Sequence, residues 1–315
     1  MRGSSCSLKP PAFVPAEYRL ERLLGSGNTA HVYAAQHPAF GLVALKLPKS
    51  ELQRDPVLGR MFENEVQMTA ALKHPRVVSA FEGYPTGPEA FLALEFCEGT
   101  LDAQLGPELP LASAYRLVLD AAQGLLHSHQ RQILHRDVKP ANVFVKDGRA
   151  KLGDFGTGAY LSDVFGAAQA TGKVGTAFYM APEIFQGKPA TVKSDVYSLG
   201  ILAYEVISGE RPFGGRDEGE LMLAHSSAVP LALRQHRPEV DLKVSRVVAN
   251  AMSRTLERRF GSAEAFVLAF AEATGLPPTD EVAERPIGRA GRVKQSDAPT
   301  PEKAPRFGWF GRKRS

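Results

Sequence analysis

Between His135 and Gly156 the chain reads HRDVKPANVFVKDGRAKLGDFG, a stretch crowded with groups that handle protons, cations and phosphate oxygens. VFV and AKL are β-prone runs around KDGR, and Asp147-Gly148 is a favoured two-residue hairpin turn. Folding the chain about that turn pairs residues whose numbers sum to about 295, which sets Asn142 opposite Gly153 and beside Asp154. An amide oxygen and a carboxylate then share one end of a hairpin. Asp137 sits in the loop entering it and Lys139 lies between. Hard oxygen donors of this kind suit Mg²⁺, which commonly shares its site with substrate phosphates. The alternative is a charged loop capping a hairpin. The fixed residues of H-R-D-x-K-P-x-N would arise by chance in such a chain with a probability on the order of one in a hundred thousand.

A second stretch, GSGNTAHVY from Gly25 to Tyr33, is close to a glycine-rich phosphate loop of the form G-x-G-x-x-G-x-V, with Ala30 in place of the last glycine. A glycine pair is weak evidence by itself, and the same spacing recurs at Gly156 and Gly158. A nucleotide cradle and a plain turn both remain open until the downstream residues are weighed.

The elements that must position these groups change character along the chain. YRLERLL, AHVYAAQ, LVALKL, VVSAF and AFLALEF are short apolar segments between turn signals and predict an antiparallel sheet. MFENEVQMTAALKH, Met61 to His74, interrupts them as one amphipathic helix closed by Pro75. From Leu111 the pattern turns helical, with ASAYRLVLDAAQGLLHSHQ, SDVYSLGILAYEVISG, SRVVANAMSRTLERR and SAEAFVLAFAEATG. Strands first and helices second predict an α+β arrangement in two lobes. The Pro/Ser-rich leader and the Pro/Gly-rich stretch beyond Gly275 are expected to be flexible. No internal repeat is evident.

At 315 residues with 43% hydrophobic content, the chain can bury a large core. The longest mainly apolar stretch, Tyr197 to Ile207, is about half a bilayer span and contains Glu205. The N-terminus lacks the apolar run of a secretory signal, so cytoplasmic residence is the expectation. Two cysteines, Cys6 and Cys97, make neither a disulfide framework nor a four-ligand metal site. Of the net charge of +4, the segment from Arg285 onward carries +7 and the remainder −3, so nucleic-acid binding by the folded part has no support.

The quoted motifs resemble the catalytic and metal loops of the eukaryotic-type serine/threonine protein kinase family, in the manner of a bacterial single kinase domain, from about Tyr18 to Gly275. VALK puts Lys46 on the third strand, GTAFYMAPE (Gly175 to Glu183) is similar to the substrate-binding segment, SDVYSLG supplies Asp195, and ERRFGSAEAF supplies Arg259. The resemblance implies an α+β, two-lobe protein kinase fold. Its small antiparallel-sheet N-lobe with one main helix, and the hinge, would span 18–97. A larger, mostly helical C-lobe would span 98–274, between a flexible leader at 1–17 and a basic flexible tail at 275–315.

By the same resemblance Asp137 would accept the proton of a substrate hydroxyl, and Asn142 and Asp154 would hold Mg²⁺. Lys46 would contact the α and β phosphates of ATP and be held by a glutamate of the Met61–His74 helix. Glu63 and Glu65 are both available, and being two apart they cannot both face the lysine. Family spacing from His74 selects Glu65. Lys139 and Thr176 match the Ser/Thr branch rather than the Tyr branch, which implies protein substrates with Ser/Thr acceptors. Gly25, Ser26 and Gly27 would cover the phosphates, the backbone near Glu95 and Cys97 would meet the adenine edge, and Val32, Ala44 and Phe144 would sandwich the ring. Apolar residues at those three positions are equally what a core would demand. Asp195 and the Glu183–Arg259 pair would be structural, and His31, His37, His127 and His129 show no ligand spacing.

Arg136 precedes the catalytic aspartate and would pair with a phosphorylated activation-loop residue. Thr171 is expected to be the principal autophosphorylation site, with Ser162 a further candidate. Departures from the family pattern are Ala30, expected to be tolerated, Thr69 at a usually apolar position, TLERR without the acid-proline pair before Arg259, and no second recognisable domain. The C-terminal RFGWFGRKRS, with Phe307, Trp309 and Phe310 beside Arg312, Lys313 and Arg314, would either dock a partner or an anionic membrane surface or serve as a solubilising end. Two other functions share the core residues. One is a pseudokinase scaffold, against which no phosphate, metal or proton-handling group is missing. The other is a kinase for small hydroxyl compounds, against which GTAFYMAPE counts.

Overall fold

The computed structural model describes residue 11 and residues 13–27, 29–50, 55–106, 109–161 and 174–278. Alternation of side chains in the first strands builds one antiparallel sheet from β1 (Arg19–Ser26), β2 (Ala30–His37), β3 (Gly41–Pro48), β4 (Ala80–Tyr84) and β5 (Phe91–Glu95), in the order β1-β2-β3-β5-β4. On one face Tyr33, Ala35, Val43, Leu45 and Leu47 join Tyr18 and Ala93 in a buried cluster. On the other, Ala30 and Leu92 pack with Phe62 and Val66 of helix α1 (Pro56–Ala71).

Several boundaries differ from the sequence reading. Helix α1 begins at Pro56 rather than near Met61, because Asp55 is its N-cap, accepting hydrogen bonds from the amides of Val57 and Leu58, and Pro56 takes the first helical turn. Val77 and Val78 are not in β4. Val77 bridges Leu152, and its neighbour Val78 donates its amide to the Leu152 carbonyl. Val14, placed in the leader by composition, packs against the Tyr18 cluster. Leu276, placed in the tail, packs against the helical core after Gly275 closes the last helix in a left-handed conformation.

The second lobe is mostly helical. Its elements are β6 (Gly99–Thr100), α2 (Leu111–Gln130), β7 (Ile133–Leu134), β8 (Val143–Lys146), β9 (Arg149–Leu152), β10 (Ala159–Tyr160), α3 (Val174–Ala177), α4 (Pro182–Phe185), α5 (Val192–Ser208), α6 (Glu218–Ser227), α7 (Leu233–His236), α8 (Leu242–Ala251) and α9 (Ala263–Thr274). Helix α5 is buried nearly all round and runs through the core, with a Thr191–Ser194 capping box at its start. Helix α8 stops at Ala251, short of the predicted Arg259. The guanidinium of Arg259 is buried, donates to the Ser253 and Lys193 carbonyls, and pairs with Glu183 at 2.7 Å, so residues 252–259 wrap around it instead of continuing the helix. Among the described residues no helix is long and apolar enough to cross a membrane.

Candidate active site

The β8–β9 hairpin is the platform. Asp147 and Gly148 both take positive φ, 51° and 71°, as a two-residue type I′ turn requires. Val143 pairs Leu152 and Lys146 pairs Arg149, and the Gly153 amide donates to the Asn142 carbonyl at 2.9 Å. Asn142 and Asp154 therefore emerge at the same end of the hairpin, in the register the turn dictates. Asp154 itself holds a left-handed backbone, φ 61° and ψ 68°. Such a conformation is strained for a non-glycine residue and is tolerated where the surroundings enforce it.

The loop carrying Asp137 is fastened from below. The buried Asp195 carboxylate of α5 accepts the amides of His135 and Arg136 at 2.9 Å each, and His129 of α2 donates to it at 2.9 Å. Although burial opposes it, these partners keep the Asp195 carboxyl below its ordinary value. His135 accepts the Asp137 amide on Nδ1 at 3.3 Å, which leaves the ring proton on Nε2, 3.0 Å from the Gly153 carbonyl. One imidazole thus joins the Asp137 loop to the residue before Asp154. His129 is buried, as a packing histidine would be, and supports this anchor; its partner is 66 positions away, and no local spacing announces the contact.

Around Asp137 the side chains converge. Lys139 Nζ lies 2.7 Å from Asp137 Oδ2 and donates to Thr176 Oγ1 at 3.0 Å. Asn142 Nδ2 donates to the Asp137 carbonyl at 2.8 Å and to its Oδ2 at 2.9 Å. Oδ1 of Asp137 is buried and has no hydrogen-bond partner. With the Asn142 nitrogen turned to Asp137, the amide oxygen is the atom left to a cation. Beside it Asp154 is partly open to solvent, and the charge of Lys46 is the largest influence holding its carboxyl below the ordinary range. An ionised carboxylate and an amide oxygen are a hard-oxygen donor set that fits Mg²⁺.

Lys46 reaches the same space from β3. Its Nζ lies 2.5 Å from both carboxylate oxygens of Glu65 on α1 and 3.6 Å from Asp154 Oδ1. Burial alone would lower the ammonium, but Asp154 and Glu65 outweigh it and hold it above its ordinary value. Burial pushes Glu65 up to about 7 against the pull of the lysine. Glu63 instead accepts a hydrogen bond from Gln67 on the solvent side. The choice between the two glutamates is thereby decided by the helix face.

The remaining predicted positions line the cleft roof and floor. Val32 and Ala44 share the Lys46 face of the sheet, opposite the Tyr33–Leu45 cluster. Phe144 of β8 lies on the floor against Gly153, where an added Cβ would come within 2.9 Å of its ring. Ser26 pairs His31 at the end of β1, and the Gly27 amide donates to the Ala30 carbonyl at 2.9 Å. A Cβ on Gly25 would meet nothing within 4 Å and one on Gly27 only the Ala30 carbonyl oxygen at 3.7 Å, so neither glycine is demanded by packing within the protein. Their bareness leaves room for a ligand over the cleft. The methyl of Ala30 is fully buried in the cluster of Phe62, Val66 and Leu92. Cys97 is a free thiol, pushed up to about 12 by burial and by Glu95. Thr171 and Ser162, like Phe307, Trp309 and Phe310, lie outside the described residues.

A family model described as "Protein kinase domain" matches residues 18–267. The serine/threonine-protein kinase PknB of Mycobacterium leprae is 33% identical over 263 residues, covering 80% of this chain and 42% of its own. That of Mycolicibacterium smegmatis is 32% identical over 321 residues, covering 93% and 50%. The serine/threonine-protein kinase PrkC of Bacillus subtilis is 30% identical over 256 residues, covering 80% and 39%. The chain thus spans half or less of the length of these relatives. Among solved structures, a point mutant of the Mycobacterium tuberculosis PknI kinase domain aligns with TM-score 0.63 at 28% identity, covering 85% of this chain and 100% of that one.

Proposed function

Because the chain belongs to the protein kinase domain family, we propose that it is an ATP- and Mg²⁺-dependent serine/threonine protein kinase, transferring the γ-phosphate of ATP to Ser and Thr hydroxyls of proteins. The observation that carries this reading is the Asp137 carboxylate, with Oδ2 engaged by Lys139 and Asn142 and a buried Oδ1 without a partner. Oδ1 is the atom for the acceptor hydroxyl: it orients the oxygen in line with the γ-phosphorus and takes its proton as the new P–O bond forms and the bond to ADP breaks. Lys139, tied to Thr176, places its charge beside the oxygen that is being phosphorylated. Lys46, fixed by Glu65, would hold the α and β phosphates under Gly25, Ser26 and Gly27. Asn142 and Asp154 would hold Mg²⁺, whose positive charge would offset that of the phosphates. Within the domain the lobes divide at the hinge near residue 97.

The pseudokinase alternative has no support in these residues, since each group that would handle phosphate, cation or proton is present. Phosphoamino-acid analysis of a generic protein incubated with labelled ATP is expected to return label on Ser and Thr; label confined to Tyr would overturn the substrate class. Autophosphorylation is assigned to Thr171 ahead of Ser162, and mass spectrometry of fully active protein with phosphate only elsewhere would sink that choice. Dependence on ATP argues for a cytoplasmic site of action. The basic-aromatic C-terminal segment is proposed to contact a partner or an anionic surface, and equal liposome co-sedimentation of the full chain and of a chain stopped at Arg285 would dismiss the membrane form.

A further inference from the structure

Glu95 ends β5, the strand whose continuation links the two lobes, and its side chain is turned away from solvent, 7% exposed. Oε1 accepts the Ser79 amide at 2.7 Å and Lys151 Nζ at 2.7 Å, and Oε2 accepts Lys146 Nζ at 3.0 Å. The Glu95 amide in turn donates to the Ser79 carbonyl at 2.9 Å. Both lysines belong to the β8–β9 hairpin. The strand register places Lys151 opposite Phe144, and the two-residue repeat puts Lys146 on the Phe144 side of β8. The chain after Glu95 stays on the same hairpin: the Glu98 amide donates to the Val145 carbonyl at 3.0 Å, and Gly99 and Thr100 of β6 pair Val145 and Phe144.

We propose that Glu95, Lys146 and Lys151 form a clasp that positions the nucleobase-facing backbone of the linker against the hairpin carrying Asn142 and Asp154. The inference rests on reading the cleft between the lobes as the nucleotide site. One carboxylate gathers three donors from two lobes, so it sets where the strand end sits relative to the hairpin. The hairpin's far end carries the phosphate and cation groups. The clasp thereby sets the span between the base edge and the phosphate groups, which a bound nucleotide must match. Each of the three is a positioning residue: its side chain acts through the backbone of residues 95–97 rather than on the reacting atoms.

The test compares wild type with Lys151→Met, Lys151→Arg and Glu95→Gln, measuring ADP affinity with Mg²⁺ by calorimetry, KM for ATP against kcat, and the unfolding midpoint. Lys151→Met and Glu95→Gln are expected to weaken ADP binding and raise KM for ATP about tenfold, with a smaller fall in kcat, and Lys151→Arg to recover most of the affinity. Lys146→Met removes only the most exposed donor and is expected to give a two- to threefold effect in a chain that folds normally. ADP affinity and KM within twofold of wild type in all four variants, even with a lowered unfolding midpoint, would reduce the clasp to a structural ion cluster and overturn the proposal. Failure of the nucleotide reading looks different: wild type itself would bind no ADP.

Discussion

Asn142 spends its amide nitrogen on Asp137 twice, at 2.8 Å to the main-chain carbonyl and 2.9 Å to the carboxylate Oδ2. The residue expected to hold a cation is therefore also the one that fixes the proposed base. Replacing Asn142 by Ala is expected to lower kcat by about a hundredfold or more, because positioning of the base and cation binding are lost together. Steady-state phosphate transfer at saturating ATP checks this, and a fall of less than tenfold would separate the two roles.

Asp195 should be felt in stability as well as turnover. Its carboxylate carries the His135 and Arg136 amides and His129 inside the core. Asp195→Ala leaves those donors buried without an acceptor, which costs about 3–5 kcal/mol. Thermal unfolding should show a midpoint lowered by roughly 5–15 °C. Little change in midpoint would mean that the loop finds another anchor.

Acid sensitivity follows from two histidines, His225 buried and His74 half-buried. His225 is fully buried, 2.8 Å from the Tyr197 hydroxyl, and burial pushes it from 6.5 down to about 4. Between those values the unfolded chain binds a proton that the folded chain refuses, so stability rises with pH across the window and is lost as pH falls from 6.5 towards about 4. The effect is on the order of 3 kcal/mol for His225. His74, pushed down to about 4 by burial with His127, Arg76 and Lys151 adding to it, contributes in the same direction. Urea unfolding at stepped pH should show the slope, and His225→Gln should flatten it by about half; an unchanged slope would acquit His225.

Gly153 and Phe144 are coupled through space. A Cβ at 153 would stand 2.8 Å from Val78 Cγ2 and 2.9 Å from the Phe144 ring, so Gly153→Ala is expected to tilt Phe144 and raise KM for ATP several-fold. Phe144→Leu in the same chain should recover part of the loss, a non-additivity of about 1 kcal/mol in a double-mutant cycle. Strict additivity would place Phe144 away from the nucleotide.

Local chemistry made some of this readable and tertiary contacts hid the rest. The Asp147-Gly148 turn fixes register within a few residues, so the juxtaposition of Asn142 and Asp154 followed from sequence alone. Helix α8 did not, because what ends it is Arg259 reaching Glu183, 76 residues earlier. Ala30 stood out only as a missing glycine, whereas its methyl has a packing site against Phe62 and Val66 that no linear pattern reveals. Sequence assigns Glu95 a backbone role only, because the partners of its carboxylate, Ser79, Lys146 and Lys151, lie 16 to 56 positions away. The hairpin register did hold a signal, since it sets Phe144 opposite Lys151 and, by the two-residue repeat, Lys146 on the same side.

The roles of Asp137 and Asp154 are tested by transfer of labelled γ-phosphate to a generic protein substrate by wild type, Asp137→Ala and Asp154→Asn, with folding of each verified by thermal unfolding. Wild type is predicted to label the substrate, and both variants to lose at least about a hundredfold in rate while remaining folded. Equal labelling by all three folded proteins would contradict the assignment of Asp137 and Asp154, and with it the proposed kinase mechanism.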